Sequence, residues 1–359
     1  MENFSDLYTD YLISSTSLTT ATGLSTLLKG NISHDKITRH LSKDNYDSRH
    51  LWKKVKPMVE ELCSSDDLVV LCFDDSIEEK RYTDESELIS WHFDHTVNRA
   101  VKGVNFLTAL VNTKGTSLPC AVEFVKKDKK ITDTKTGKKK RVSSKTKNEM
   151  YRKMLRHCDR NINFDYVLND SWYSSAENMQ LIKGELKRNF IMALKSNRTI
   201  ALSAKDKVKK KYIGIGLLEL EQQPVEVWLE ELDSPLLLTK QVFKNEDGTV
   251  GELYLVSSDL NLSYEQIATI YKRRWSVEVY HKSVKSNASF AKSPTKIVQT
   301  QVNHFMLSIL AYVKLEWLQL RNNLNHFAMK SKIYICALEA DMKQLKELST
   351  PANKKINLA

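Results

Sequence analysis

The chain has 359 residues, 41% hydrophobic and 28% charged, with a net charge of +11. That is enough apolar content for a real core and more length than one average domain uses, and the basic balance points to a polyanionic partner, nucleic acid before anionic membrane. Five scattered cysteines (63, 72, 120, 158, 336), odd in number and without a CxxC pair, argue against a disulfide framework and a cysteine zinc site and for a reducing compartment. The opening residues MENFSDLYTDYL have no basic n-region or long apolar core, so no signal peptide is expected. The run Phe305 to Leu320 is interrupted by Ser308, Lys314 and Glu316, which makes it too short and too charged to span a bilayer. The expectation is a soluble intracellular protein with no membrane partner.

Residues 1 to 65 read as helices. Phe4 to Ile13 has helical apolar spacing, Thr20 to Lys29 is a second helix, and Gly30-Asn31 forms a turn before a third, basic one. Such a pair resembles a helix-turn-helix, and a plain helical cap fits as well. Trp52 to Cys63 is a fourth helix, with Pro57 forcing a break or kink. Leu68 to Phe73 reads as a buried strand that ends in Asp74-Asp75-Ser76, where α/β sheets often carry sites. Lys80 to Trp91 reads as irregular, and Trp91-His92-Phe93-Asp94-His95 as a structural turn, since no third metal ligand lies nearby at ligand spacing. Val104 to Val111 and Leu118 to Val125 form a hairpin. The lysine-dense segment Lys126 to Lys147 is too polar for a core and reads as a mobile loop that would track a DNA backbone, with Lys138, Lys139, Lys140 and Arg141 as contacts. A helix over 148 to 160 leads to the strand Phe164 to Leu168, which ends in Asn169-Asp170-Ser171-Trp172-Tyr173. Ala176 to Lys187 is a helix and Asn189 to Leu194 a strand.

This order, one strand, a hairpin, then helix, strand, helix, strand, is that of a ribonuclease-H-like α/β fold. In that fold the first and fourth strands lie side by side, so Asp74 and Asp170 would meet. Residues 199 to 262 break the pattern. Four alternating runs, Val208 to Leu220, Val225 to Leu232, Leu236 to Phe243 and Gly251 to Ser257, read as an inserted β subdomain. Two amphipathic helices follow, Thr295 to about Leu320 and Tyr334 to Glu347, and the tail from Pro351 is expected to fray. The predicted organisation is a helical, candidate DNA-binding region over 1–65, the core over 66–198, the β insertion over 199–262, a helix completing the core over 263–290, and C-terminal helices over 291–359.

The segment Ser263 to Ser286 reads as one helix, with Ser263 and Gln266 as a capping box. Tyr271, Arg274, Glu278, His281 and Lys285 follow at steps of 3, 4, 3 and 4 and share one face. Taken alone, such a column is more often a solvated face with ion pairs such as Arg274–Glu278. With the strand order it gains a task. Asp74, Asp170 and Glu278 form a set of oxygen ligands suited to two Mg²⁺ or Mn²⁺ ions about 4 Å apart. Arg274 would grip a phosphate, Lys285 would act as a point charge, and Tyr271 would donate a hydrogen bond.

The tract Tyr271-x-x-Arg274-x-x-x-Glu278-x-x-x-x-x-x-Lys285 resembles the Y-(2)-R-(3)-E-(6)-K signature of bacterial DDE transposases of the insertion-sequence 4 family. Asp74-Asp75-Ser76 and Asp170-Ser171-Trp172-Tyr173 resemble that family's first and second motifs, and the resemblance spans about 68 to 290. It implies a metal-binding catalytic triad of Asp74, Asp170 and Glu278, with Tyr271, Arg274 and Lys285 on the phosphates of transposon ends. It implies Mg²⁺ or Mn²⁺, cut-and-paste transposition often through a hairpin, and double-stranded DNA as partner, both terminal inverted repeats and target. A homodimer on DNA and a bacterial, nucleoid-associated location follow from the same source. Family members stack a flipped base on an aromatic residue. Trp228 is the candidate here, against the alternative of a Trp within a small β core. The first acid is read as Asp74, with Asp75 as its solvent-facing neighbour. His281 lies outside the signature and receives no role from it. A catalytically inactive DNA-binding descendant and a nuclease without joining activity are the alternative readings.

Overall fold

The computed structural model describes residues 4–64, 66–134, 137–220, 223–244 and 248–349. The expected fraying of the C-terminal tail lies outside the described residues. Four helices come first: α1 (Phe4–Ser14), α2 (Ala21–Leu27), α3 (His34–Lys43) and α4 (Ser48–Leu62). Thr20, Ser33 and Asp47 cap the last three, each accepting from a backbone N–H of the first turn. The Asp47 cap starts α4 earlier than its apolar pattern suggests, and Pro57 sits inside the helix without ending it.

Strands β1 (Val70–Glu79), β2 (Ser90–Asp94), β3 (Arg99–Thr113) and β4 (Thr116–Phe124) follow. The segment expected to be a mobile lysine loop is in part a second, small hairpin, β5 (Lys129–Thr132) with β6 (Lys139–Val142), closed near Gly137 at φ +68°. Ile131, Thr132 and Val142 give it β-favouring positions among the lysines. Then come α5 (Lys147–Asp159), β7 (Tyr166–Asn169), α6 (Ala176–Gln180) running into a π-helical turn, β8 (Asn189–Leu194), β9 (Thr199–Ile200), α7 (Ala204–Val208), β10 (Ile213–Gly214), β11 (Val225–Val227), β12 (Leu236–Lys244) and β13 (Val250–Ser257). Two sequence expectations fail here. Val208 to Leu220 is not one strand, because Ser203 caps the short helix α7 and a 3₁₀ turn follows β10. Ser90 to Asp94 is a strand rather than a turn, with Trp91 and Phe93 half exposed and His92 buried in strict alternation.

Among the described residues nine strands form one mixed sheet in the order β11-β12-β13-β8-β7-β1-β3, with β2 and β4 both on the far side of β3. β2 pairs along Arg99–Gly103 of β3 and β4 along Phe106–Thr113. β1 is antiparallel to β3 and parallel to β7, and β7 is parallel to β8. The first and fourth core strands are therefore neighbours. β13 pairs antiparallel with β8, so strands from the 199–262 segment prolong this sheet. Gly103 allows β1 to cross close to β3. A Cβ there would meet the Glu78 carbonyl oxygen at 2.2 Å.

Helices cover both faces. α8 (Tyr264–Lys272) and α9 (Ser276–Asn287) return the chain to β1, then α10 (Val298–Asn322) and α11 (His326–Ser349) close it. α10 is buried along most of its length and packs on α1 and α3. Asn303 donates to the carbonyls of Leu41 and Asp44, and His304 sits between Tyr8 and the carbonyls of Ser289 and Phe290. The N-terminal helices are thus anchored to the C-terminal ones by buried polar contacts. Among the described residues, no helix is long and apolar enough to cross a membrane.

Candidate active site

Strand β1 does not end at Asp74. It runs on to Glu79, and β7 leaves its side after the pair Phe73–Asn169. Asp74 and Asp170 are the next residues on two adjacent parallel strands, which brings both carboxylates to the same opening. Successive side chains of a strand point to opposite faces. Asp74 therefore faces α8 and α9, while Asp75 faces α5 and the loop after β7.

The two neighbours have different surroundings. Asp75 Oδ2 accepts from Lys147 Nζ at 2.6 Å and from Asn105 Nδ2 at 2.8 Å, and Oδ1 accepts from Tyr173 Oη at 2.5 Å. Burial pushes its carboxyl up, but Lys147, Tyr173 and Asn105 outweigh that and hold it below the ordinary carboxylate range. The expectation that Asp75 faces solvent is therefore corrected. Its side chain is only 14% exposed, because β1 is covered on that face too. Asp74 is as buried, at 15%. Burial, with Asp170, Glu278 and Asp75 nearby, raises its carboxyl well above the ordinary value, against the opposing Arg274 guanidinium, while its Oδ1 accepts from the Asp75 N–H at 2.9 Å. Asp170 is raised as well, by burial first, although its Oδ1 accepts from the Trp172 N–H at 3.0 Å.

The segment expected as one helix is two, α8 and α9, joined by a 3₁₀ turn over Arg273–Trp275. The capping box of Ser263 and Gln266 is present. At the turn the Cys72 thiol donates to the Arg273 carbonyl, and Arg273 Nη1 donates to the Leu68 carbonyl at 2.9 Å, so β1 and the segment just before it take up backbone and side-chain groups of the tightened turn. Arg274 stands among the acids. Its Nη1 is 3.4 Å from Glu278 Oε1 and 4.0 Å from Asp74 Oδ2. Ligand atoms of Asp74, Glu278 and His281 lie within 4.8 Å of one another. Asp170 is outside that group but within electrostatic reach of both Asp74 and Arg274.

Other members of the column serve the fold directly. Tyr271 is buried and donates to the Asn169 carbonyl at 3.3 Å, with the Arg274 guanidinium over its ring. Lys285 Nζ donates to Ser76 Oγ at 2.9 Å and the Ile77 carbonyl at 2.7 Å, tying α9 to β1. Lys138, Lys139 and Lys140 are exposed on the small hairpin, where Lys140 pairs with Asp133 at 2.6 Å, while the half-buried Arg141 reaches the Lys127 carbonyl. Trp228 is half buried and bridges Ala201 through its backbone.

Lys147 was expected only as part of the basic segment, Tyr173 and Trp172 only as part of the second acidic motif, and Asn105 only as part of a strand. Trp172 is 44% exposed beside Asp170, with Lys147 and Lys195 over its ring and His95 at 5.2 Å. The signal for Trp172 was its place two residues past a strand-end acid. The clamp partners carry no local signal.

Mutually repelling carboxylates, two of them largely buried, with a guanidinium opposing them suit a divalent cation, and a ring nitrogen of His281 lies within reach of the same place. No curated protein matches the chain. Among solved structures, the Drosophila P element transposase strand transfer complex is similar over 98% of this chain and 88% of that chain, at 10% identity and a TM-score of 0.27, too low to define a shared fold. Two family models match directly: DDE superfamily endonuclease over residues 2–214 and Transposase DDE domain over residues 126–314. Each spans more than half of the 359 residues, and the two overlap across the segment that carries Asp170. The chain belongs to the DDE transposase and endonuclease superfamily.

Proposed function

We propose that the chain cuts DNA at the ends of its own element and joins the freed 3′ ends to target DNA, with Asp74, Asp170 and Glu278 as its catalytic acids. The observation that carries this reading is the paired placement of Asp74 and Asp170 at the end of the β1–β7 register, beneath the helix bearing Glu278. The strand order β4-β3-β1-β7-β8 supports a ribonuclease-H-like core, with β11 to β13 as an inserted element. Divalent ions bound there would activate the attacking water or 3′-hydroxyl and stabilise the leaving oxygen. Asp74, Asp170 and Glu278 would hold those ions, Mg²⁺ or Mn²⁺.

The protein's own groups would do the rest. Arg274 balances the acids before cations arrive, then turns to a DNA phosphate. Lys285 fixes α9 on β1 and so sets the height of Glu278 above Asp74. Tyr271 fixes the start of the same helix against the end of β7. The exposed lysines of the β5–β6 hairpin would follow the DNA backbone. Trp172, flanked by two lysines beside Asp170, is the better placed stacking surface for a displaced base, with Trp228 as the alternative. A homodimer on paired ends and cut-and-paste chemistry through a hairpin belong to the same reading.

The test is a supercoiled plasmid carrying the DNA that flanks the gene. Purified protein with Mg²⁺ or Mn²⁺ should nick at the element's ends and join precleaved ends to a second plasmid. Asp170→Asn should lose both activities and keep end binding. Cleavage by that variant would overturn the assignment. Nicking without joining would favour the second reading, a nuclease, which fits the endonuclease description of one family model.

A further inference from the structure

His281 stands one helical turn beyond Glu278, on the same face of α9. It is 5% exposed, and its Nε2 is buried without a hydrogen-bond partner. A buried imidazole nitrogen with no partner costs free energy unless something binds it. One side of the ring is explained by packing, with the Phe106 ring edge-on at 5.4 Å and Tyr280 tilted at 5.2 Å. The other observation is positional. A ring nitrogen of His281 and carboxylate oxygens of Asp74 and Glu278 lie within 4.8 Å of one another. Ligands about 2.1 Å from a common ion stand about 3 Å apart when adjacent and about 4.2 Å apart when opposite. Small side-chain rotations close that difference. Glu278-Val279-Tyr280-His281 is also a Glu-x-x-His pair at i and i+3, the spacing by which helices present a carboxylate and an imidazole to one metal centre.

We propose that His281 supplies a nitrogen ligand to the divalent ion held between Asp74 and Glu278, and that this nitrogen shifts the site from Mg²⁺ toward first-row transition ions such as Mn²⁺. The proposal rests on the reading of these acids as metal ligands. The physical cause is donor type. Mg²⁺ is a hard ion that favours oxygen and water, whereas imidazole binds transition ions well. The Asp74–Asp170 side, built from oxygen donors alone, would keep no such preference. The two ion positions would therefore differ in selectivity.

The experiment is pulsed electron paramagnetic resonance on the intact protein loaded with Mn²⁺, paired with Mn²⁺ and Mg²⁺ titrations. Wild type should show ¹⁴N modulation from a directly bound imidazole. His281→Gln should lose that modulation and bind Mn²⁺ about tenfold more weakly, with Mg²⁺ affinity changed less than twofold. Mn²⁺ bound in an Asp74-dependent manner but without ¹⁴N modulation would overturn the role of His281 and leave the acid site standing. Absence of Mn²⁺ binding to wild type would overturn both. The wild-type spectrum needs no variant to fold, so an unstable His281→Gln does not remove the test.

Discussion

Asp74 and Asp75 are adjacent, equally buried and chemically identical, yet their carboxyls move in opposite directions. Asp75 is held by an ammonium, a phenol and an amide, and its charge is fully answered by its own chain. Asp74 lies near Asp170, Glu278 and Asp75, shares one guanidinium with Glu278, and accepts from the Asp75 N–H. Burial alone therefore does not mark a functional acid. The mark is a buried charge that the protein leaves under-compensated, at a cost in stability, where a ligand can compensate it.

Each prediction probes that contrast. The largest effect is on chemistry. Asp74→Asn should lower end cleavage about a thousandfold, equivalent to about 4 kcal/mol of transition-state stabilisation. The same variant should melt higher than wild type in chelator, because the raised carboxyl is an unfavourable charge. With the folded value above the unfolded one, its destabilisation is absent below the unfolded value and grows as pH rises through the folded one. A variant that cleaves normally, or melts lower, breaks the contrast.

Next comes Asp75→Asn, which leaves Lys147 without its carboxylate. Urea unfolding should show a loss of about 3 kcal/mol. A stable Asp75→Asn protein with no cleavage would exchange the roles of the two residues. Divalent cation then separates them again. Mn²⁺ at a hundred times its dissociation constant should stabilise wild type by about 2.7 kcal/mol, Asp75→Asn by the same amount, and Asp74→Asn scarcely at all. Thermal melts with and without chelator read this directly.

Glu316 offers a control, a buried acid raised without acidic neighbours. Burial takes its carboxyl up to about 7, against the opposing Tyr312 bond. The Tyr312 hydroxyl lies near both Glu316 and the Ser117 carbonyl, and its one proton can serve only one of them. A protonated Glu316 can donate to Tyr312, which leaves the Tyr312 proton for the Ser117 carbonyl. His326, 3.6 Å away, is pushed down to about 4 by burial, so it is neutral and makes no ion pair there at neutral pH. The wild-type chain should therefore lose roughly 3 kcal/mol as pH rises from about 4.5 through 7. Glu316→Gln should remove that slope, and Mn²⁺ should leave it unchanged. The smallest effect is Tyr271→Phe, about 1 kcal/mol of stability from the lost bond to Asn169.

The strands and the acids at their ends were legible in the sequence, while the contrast between Asp74 and Asp75 was not, and the reasons are physical. Leu68 to Phe73 is a continuous apolar run and Phe164 to Leu168 is one broken only by Asp165, and short runs of this kind suit strands covered on both faces. The acids that follow each run were therefore locatable, and the strand order placed them together. The Asp75 clamp was not legible, because its partners lie 30, 72 and 98 residues away and none of them has a local pattern. The break between α8 and α9 was hidden too. Tyr264 to Asn287 contains no Gly or Pro, and the turn tightens where the Cys72 thiol and the Leu68 carbonyl meet it. The β5–β6 hairpin was read as a loop because lysine density masked its few β-branched positions.

The docking of α9 on β1 by Lys285 also bears on when the three proposed catalytic acids come together. Asp74, Asp170 and Glu278 are spread over about two hundred residues of chain. Each comes from a different element, and the last reaches the others only after α9 has settled against β1. Contacts so distant in sequence form late, since the loops between them must close first. A chain still emerging from the ribosome, or one that has folded only its N-terminal half, holds Asp74 and Asp170 without Glu278. The acid cluster thereby reports that the whole sheet and its covering helix are complete, and a partly folded copy carries only a fragment of it.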